Sequence, residues 1–302
     1  MENSALKQFP LVDLRSRSND VTFGLKLTIY LILLGTGGSC ALSGNIYLTM
    51  CGIVLLGAMF AHGVELQHQV LHGQGFHHRK LNEFVGIVLG LPMLVSYADY
   101  QYSHLHHHKY LGTPENREYF DYGDQYGELS LKSISSLLKR LFMLAHYPMF
   151  LKNIFIALLS NYKDVPKHVS KKIKRDYLTM LLMIMILSAL SIWFRNSIIL
   201  YIWLCPLLLV AAPIHALIEM PEHFRCDTNS IDPFRNTRTI KSNAFMNWFT
   251  NGNNYHVEHH LMPGLPIDRL HDLHEKIKDK NEFQETTYRD FYLALFKSMV
   301  KK

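Results

Sequence analysis

The stretch "IYLTMCGIVLLGAMFAHGVELQHQVLH", Ile46 to His72, decides how this chain is built. Ile46 to Ala61 is almost wholly apolar, and the eleven residues after it contain three histidines and a glutamate. A hydrocarbon core takes roughly 20 helical residues at 1.5 Å each. A helix that crosses a bilayer here must therefore emerge directly into a polar, histidine-bearing region. His68 and His72, at i and i+4, share one face of such a helix.

Three further stretches are apolar enough to cross. "TFGLKLTIYLILLGTGGSCAL" runs from about Thr22 to Leu42, with Lys26 near its start, where its long stem can snorkel. "YLTMLLMIMILSALSIWF" (Tyr177 to Phe194) and "SIILYIWLCPLLLVAAPIHALI" (Ser197 to Ile218) form a second hairpin. The expected fold is all-α and integral to the membrane: two transmembrane hairpins with spans at about 22–42, 46–61, 177–194 and 197–218. Segments 62–176 and 219–302 then form a helical cap on one side, the whole being one domain over 1–302. "FVGIVLGLPMLVSY" (Phe84 to Tyr97) and "LFMLAHYPMFLKNIFIALL" (Leu141 to Leu159) are shorter or broken by proline. They read as helices in the interface or cap, with a fifth or sixth span as the alternative.

Charge orients the hairpins. The two short connections contain only Arg195, so 30 of the 31 lysines and arginines fall on the other side. The positive-inside rule makes that side, with both termini and the histidine clusters, cytoplasmic. A channel or carrier would instead bury its polar groups near the bilayer midplane. The N-terminal "MENSALKQFPLVDLRSRSNDV" has no cleavable signal pattern. The mean hydropathy of +0.01 fits long apolar segments alternating with a large polar part. Cys40, Cys51, Cys205 and Cys226 form neither a CxxC pair nor a disulfide framework. "KDVPKHVSKKIKR" (Lys163 to Arg175) reads as the basic flank of the third span, or else as a dock for an anionic headgroup, carrier or donor. No nucleic-acid motif is present.

The histidines at 68 and 72 have company. "HLHHH" includes His104, His107 and His108 at i, i+3 and i+4, and "HVEHH" repeats that spacing with His256, His259 and His260. With 18 histidines in 302 residues, HxxHH arises by chance about 0.06 times per chain. Two copies plus an HxxxH therefore point to a multi-histidine metal site. At about 100° per residue, His106 faces away from its neighbours in the box. Eight box histidines exceed one zinc site and suit two metals. Imidazole accepts Fe, Cu, Zn or Ni, so spacing does not choose the ion. Only one Glu-x-x-His pair, Glu65 with His68, stands near the boxes, unlike the carboxylate-rich soluble di-iron bundle. A competing class, a metal transporter or sensor with histidine-rich loops, would place ligands within spans and space its loops less regularly. A bis-histidine haem cytochrome would need paired histidines inside the spans.

These boxes, in this order around two hairpins, resemble the integral-membrane fatty acid desaturase family, which also holds hydroxylases, acetylenases and carotenoid-modifying enzymes. The resemblance covers roughly Val64 to Leu270, including "HQVLHGQGFHHRKLNEFVGIVLGLP", "YSHLHHHKYLGTPE" and "NYHVEHHLMPGLP". The wording is most similar to bacterial and cyanobacterial acyl desaturases. The resemblance implies two irons on the cytosolic face, held by His68, His72, His104, His107, His108, His256, His259 and His260. It implies O2 as co-substrate and an acyl chain carried by lipid, CoA or acyl carrier protein as the molecule oxidised. Electrons would come from a separate donor of the ferredoxin or cytochrome b5 type, since the cysteine spacing fits no iron–sulfur cluster. No motif chooses desaturation over hydroxylation or acetylenation.

Family members usually add one histidine after the fourth span. His223 stands just beyond that run, at the level where the boxes emerge, and is expected as the ninth ligand, with His215 packed inside the bundle. Glu219 occupies a position where other members have asparagine. Glu65, Asp99, Asn251 and Glu258 are the expected supports of the imidazoles. His77 and His78 read as surface or supporting groups, and His62, His146, His168, His271 and His274 have no ligand spacing.

Overall fold

The computed structural model describes residues 20–120 and 134–300. The polar segment before Asp20, where no signal pattern was read, and both chain ends lie outside the described residues. The first hairpin is α1 (Asp20–Ala41) and α2 (Ile46–Leu71). Asn45 caps α2 by accepting from the backbone N–H groups of Tyr47 (3.0 Å) and Leu48 (3.2 Å). Then come α3 (Arg79–Gly90), α4 (Tyr97–Tyr110), α5 (Ile134–Leu141), α6 (His146–Leu159) and α7 (Lys167–Trp193). The fourth span, Leu200–Glu222, ends in α8 (Ala212–Glu219) and one 3₁₀ turn. Beyond it lie the short α9 (Pro233–Asn236), β1 (Arg238–Ile240), α10 (Ala244–Phe249), α11 (His256–Leu261) and α12 (Leu270–Ile277). β2 (Phe283–Glu285) and α13 (Tyr288–Val300) complete the order.

Among the described residues four helices are long and apolar enough to cross a membrane: α1, α2, α7 and the fourth span. Their outward residues, such as Leu25, Ile32, Tyr47, Val54, Met185 and Leu209, are exposed large hydrophobics, as lipid contact requires. This is an all-α, multi-pass membrane protein.

The spans differ in extent from their apolar runs. α2 continues ten residues past Ala61 without a break, because the helix ladder does not end where side-chain polarity begins. Every residue from Met59 to Leu71 is buried by the cap. α7 starts ten residues before Tyr177, so most of the basic segment forms its first turns. There Lys172 and Arg175 pair with Glu83 of α3 at 2.6 and 2.7 Å. The fourth span is wound as π turns over Leu200–Leu204 and Pro206–Ala211, where prolines at 206 and 213 cannot donate to an α ladder. The stretch 84–97 is not one helix. It turns at Leu94 (φ +59°) and restarts as α4. The α5–α6 pair bends by 53° around Met143 (φ +50°), forming either a broken fifth span or a re-entrant element.

Two contacts place the boxes. Asp176 of α7 accepts from Ser96 Oγ (3.0 Å) and the Ala98 N–H (2.9 Å), fixing the N-terminus of α4. Lys26 does not merely snorkel: its ammonium donates to Asn251 Oδ1 (2.9 Å) and pairs with Asp268 (2.6 Å). A small parallel pair that hydropathy did not foretell, β1 with β2, lies under α11.

Where α2 meets the fourth span, Gly57 permits close approach. A Cβ there would strike the Val210 side chain and lie 2.7 Å from the Pro206 carbonyl oxygen. Gly57→Leu should therefore cost about 1–3 kcal/mol through overpacking. Gly24→Ala, with no neighbour within 4 Å, should leave the melting midpoint in detergent nearly unchanged. Equal melting midpoints for the two variants would refute the close crossing.

Candidate metal centre

The nine expected histidines come together. His68 lies at the end of α2 and His72 caps it; His104, His107 and His108 sit on α4; His223 follows the fourth span; the last three sit on α11. One group, with ligand atoms within 4.8 Å of one another, is His68, His72, His104, His108 and His259. His107, His223 and His260 form a second, and Glu222, His223 and His256 a third that shares His223 with it.

Helical geometry explains the partition. Residues i and i+4 lie about 40° apart around a helix, whereas i+3 lies about 100° from i+4. In the second box the i, i+4 pair, His104 and His108, joins the first group and His107 turns to the second. In the third box the roles reverse: His256 and His260 join the second side and His259 the first. His106 joins neither group and stacks on Tyr110 at 4.3 Å. His215 stays out too, buried against Phe120 and 3.5 Å from Glu219.

Ring orientation tests the fit to a metal. His223 Nδ1 donates to the Asn236 carbonyl oxygen (3.0 Å), and His104 Nδ1 faces the Glu118 carboxylate (3.1 Å). His107 Nδ1 and His256 Nδ1 meet Asn116 Oδ1 (2.9 Å) and Asn253 Oδ1 (3.3 Å). With its proton committed at Nδ1, each of these rings turns a bare Nε2 lone pair inward. Yet the Nε2 atoms face one another: His68–His104 at 2.8 Å, His108–His259 at 2.9 Å, His107–His223 at 3.2 Å and His107–His260 at 3.3 Å. Between His107 and His223, whose Nδ1 protons are both committed elsewhere, two lone pairs so placed repel unless a cation lies between them. At a metal–nitrogen bond of about 2.1 Å, ligands at right angles sit about 3.0 Å apart, which matches this spacing. The residues fit two closely spaced metals.

Burial reinforces the choice of protonation state. It lowers His104 and His107 to about 3 and His223 to about 4; Glu118 opposes the effect at His107, and neighbouring histidines add to it at His107 and His223. Neutral imidazole is the form that binds metal. Burial raises the Glu118 carboxyl, opposed by His107.

The expected supports are placed differently. Glu258 turns away from the centre and accepts from His274 Nδ1 (2.7 Å), Thr239 Oγ1 (2.5 Å) and Asn281 (3.1 Å). Asp99 stands at the start of α4, accepting from Tyr177 (3.4 Å). Asn251 binds Gln69 Oε1 (2.9 Å) and the Glu65 carbonyl oxygen (3.3 Å), tying the third-box segment to α2. Glu65 itself faces a cavity beside His68. Of the groups that do hold imidazoles, Asn116 and Glu118 lie in the loop after α4, Asn236 ends α9, and Asn253 stands three residues before His256. Glu222, whose Oε2 is 3.2 Å from His256 Nε2, carried one signal only: it adjoins His223. The remaining histidines are structural or peripheral. His62 bonds the Phe249 carbonyl, His146 that of Met93, and His77 pairs with Asp20 at the surface.

A polytopic helical protein with histidine groups of this kind at the ends of its spans belongs to the histidine-box class of membrane proteins. The family model for fatty acid desaturases matches residues 46–292, and the chain belongs to the fatty acid desaturase family. It is 24% identical over 231 residues to a Bacillus subtilis (strain 168) protein named fatty acid desaturase, covering 70% of this chain and 64% of that one. A second match, 36% over 58 residues, is to an acyl-lipid (9-3)-desaturase of Physcomitrium patens and covers 19% of this chain and 11% of that one. The chain thus spans somewhat under two thirds of the first relative and a small part of the second.

The geometry separates neighbours within one box. His107→Ala should lose bound metal, while His106→Ala should keep it, as read by elemental analysis of the purified proteins. Loss in both, with folding intact, would show that His106 turns inward. A pH dependence follows as well. Each of these histidines is neutral in the fold but takes a proton near 6.5 when unfolded, so the unfolded state binds more protons below that value. The contribution of the buried histidines to the stability of the metal-free protein should be full above pH 6.5 and be lost as pH drops toward 4. A melting midpoint flat across that window would contradict the buried neutral rings.

Proposed function

We propose that this protein is a membrane-bound di-iron oxidase that introduces a carbon–carbon double bond into an acyl chain, drawing on O2 and two external electrons. The balance is R–CH2–CH2–R′ + O2 + 2e⁻ + 2H⁺ → R–CH=CH–R′ + 2H2O. The observation that carries this reading is the pair of inward-facing Nε2 clusters at one end of the spans.

Nine residues would hold the metals: His68, His72, His104, His108 and His259 on one side, and His107, His223, His256 and His260 on the other. When bound, two irons supply O2 reduction and abstraction of hydrogen from an unactivated methylene. The protein's own part is orientation and exclusion. Asn116, Glu118, Asn253 and the Asn236 carbonyl fix the tautomers of His107, His104, His256 and His223, so these four rings offer Nε2 without reorganising. Tyr100 and Phe120 line the cavity beside His68 and His104. The substrate is proposed to be an acyl chain on lipid, CoA or acyl carrier protein, and the electron donor a separate ferredoxin or cytochrome b5-type protein. The two hairpins and their cap are proposed to act as one domain over 1–302, with both termini and the metal centre cytoplasmic.

Mass spectrometry of lipids and carrier-bound acyl chains, in a host with and without the gene, tests the reaction. A product 2 Da lighter, formed only with O2 and reductant, is expected. A product 16 Da heavier would mean hydroxylation instead, and no product with one zinc per chain would defeat the oxidase reading. Reporter fusions at Glu2 and Lys302 should both read cytoplasmic; opposite readings would require an odd number of spans.

A further inference from the structure

Nine neutral imidazoles bind two divalent ions without offsetting any of their charge. Charge compensation must come from somewhere, since buried uncompensated ions are costly. The cavity next to His68, His104, His223 and His256 is lined by Glu65, Glu118, Glu219 and Glu222. Arg140 is the one arginine or lysine among the described residues on the same wall. Glu65 is 4% exposed, and its Oε2 has no hydrogen-bond partner. The side chains of Glu118 and Glu222 are 11% and 16% exposed, and that of Glu219 is 26% exposed. Ionised, the four carboxylates with Arg140 sum to roughly −3, against roughly +4 for two divalent ions.

The cavity itself is small, at about 30 Å³. That is room for about one water molecule, not for a cationic head group. The carboxylates therefore face the histidine groups across a narrow gap rather than a ligand-sized pocket. Glu222 goes further. Its Oε2 lies 3.2 Å from His256 Nε2, and it forms a metal-compatible set with His223 and His256. The first group has five histidines and the second side four; Glu222 brings the second to five donors.

We propose that Glu65, Glu118, Glu219 and Glu222 are the counter-charge of the metal centre, with Glu222 a direct ligand of the second metal. This rests on the metal-binding reading above and adds what sets the affinity and the reduction potential. Negative charge stabilises the more oxidised metal, so removing it makes the centre easier to reduce.

The test uses the full chain in detergent with the near-isosteric variants Glu65→Gln and Glu222→Gln. Glu115→Gln serves as an exposed control away from the cavity. Chelator competition measures Fe²⁺ and Zn²⁺ affinity, spectroelectrochemistry the potential of the iron-loaded protein, and circular dichroism the fold. Each cavity variant should bind both ions 10- to 100-fold more weakly. Each should also shift the potential upward, while the control does neither. Glu222→Gln should additionally halve the tightly held metal, because it opens one of the two groups. Variants that fold and keep wild-type affinity and potential would overturn the proposal. So would variants whose only change is in which substrates are accepted, since that outcome assigns the carboxylates to a ligand. Should Glu222→Gln fail to fold, Glu65→Gln and Glu219→Gln still decide the counter-charge. If the wild type proves a zinc protein without oxidase activity, the functional reading falls, while the Zn²⁺ affinities still judge the glutamates.

Discussion

The arrangement depends on where each imidazole keeps its proton. A ring whose Nδ1–H is bonded to oxygen has only a lone pair to offer at Nε2, and such rings here point into common spaces. Asn236 does this for His223 through a backbone carbonyl, which cannot be flipped or titrated. Glu118 does it for His104 with a side-chain carboxyl. Oxygens outside the histidine groups thus set four of the rings, since Asn116 and Asn253 do the same for His107 and His256. Burial acts in the same direction by keeping the rings neutral.

The membrane helices position these groups through a few polar contacts near their ends. Asp176, at the polar end of α7, accepts from the N-terminus of α4 and so sets the height of the second box. Lys26 of α1 reaches Asn251 and Asp268, and Asn251 in turn reaches Gln69, so one ammonium connects the first span, the first box and the third-box segment. Beside the fourth span, buried Arg238 donates to the Pro221 and Phe224 carbonyl oxygens (2.6 and 2.8 Å) and clamps the turn that presents His223. Each contact joins elements far apart in sequence, and none is part of the hydrophobic pattern.

That explains which features could be read in the sequence. The spans follow from apolar runs, which depend only on local composition. The boxes follow from helical offsets within five residues, and the exclusion of His106 follows from the same angles. That His223 groups with the box histidines and His215 does not could be read from their places relative to the end of a span. Glu118 and Asn116 were invisible because their meeting with imidazoles is set by a loop path. Glu258 misled for a related reason. It sits between histidines in the third box, but on the helical face opposite to theirs, where it serves His274 and Thr239. The π turns of the fourth span and the β1–β2 pair escaped because a proline permits several local solutions and three-residue strands carry no period.

The position of Glu258 bears on how the third box comes to be ready for metal. α11 has six residues, too few to be stable as an isolated helix. If only metal held it, docking would have to close a loop of nearly two hundred residues from His68 to His259. Instead Thr239 of β1 bonds both the Glu258 carboxylate and the Val257 N–H (3.2 Å), and His274 of α12 bonds Glu258 from the other side. Asn254 adds a bond to the Ile240 carbonyl oxygen (2.7 Å). The outer face of α11 is therefore fixed by protein alone, leaving its inner face to the histidine groups: His259 joins the first and His260 the second. A helix anchored on one side and divided between two groups on the other links those groups through adjacent residues on a single turn.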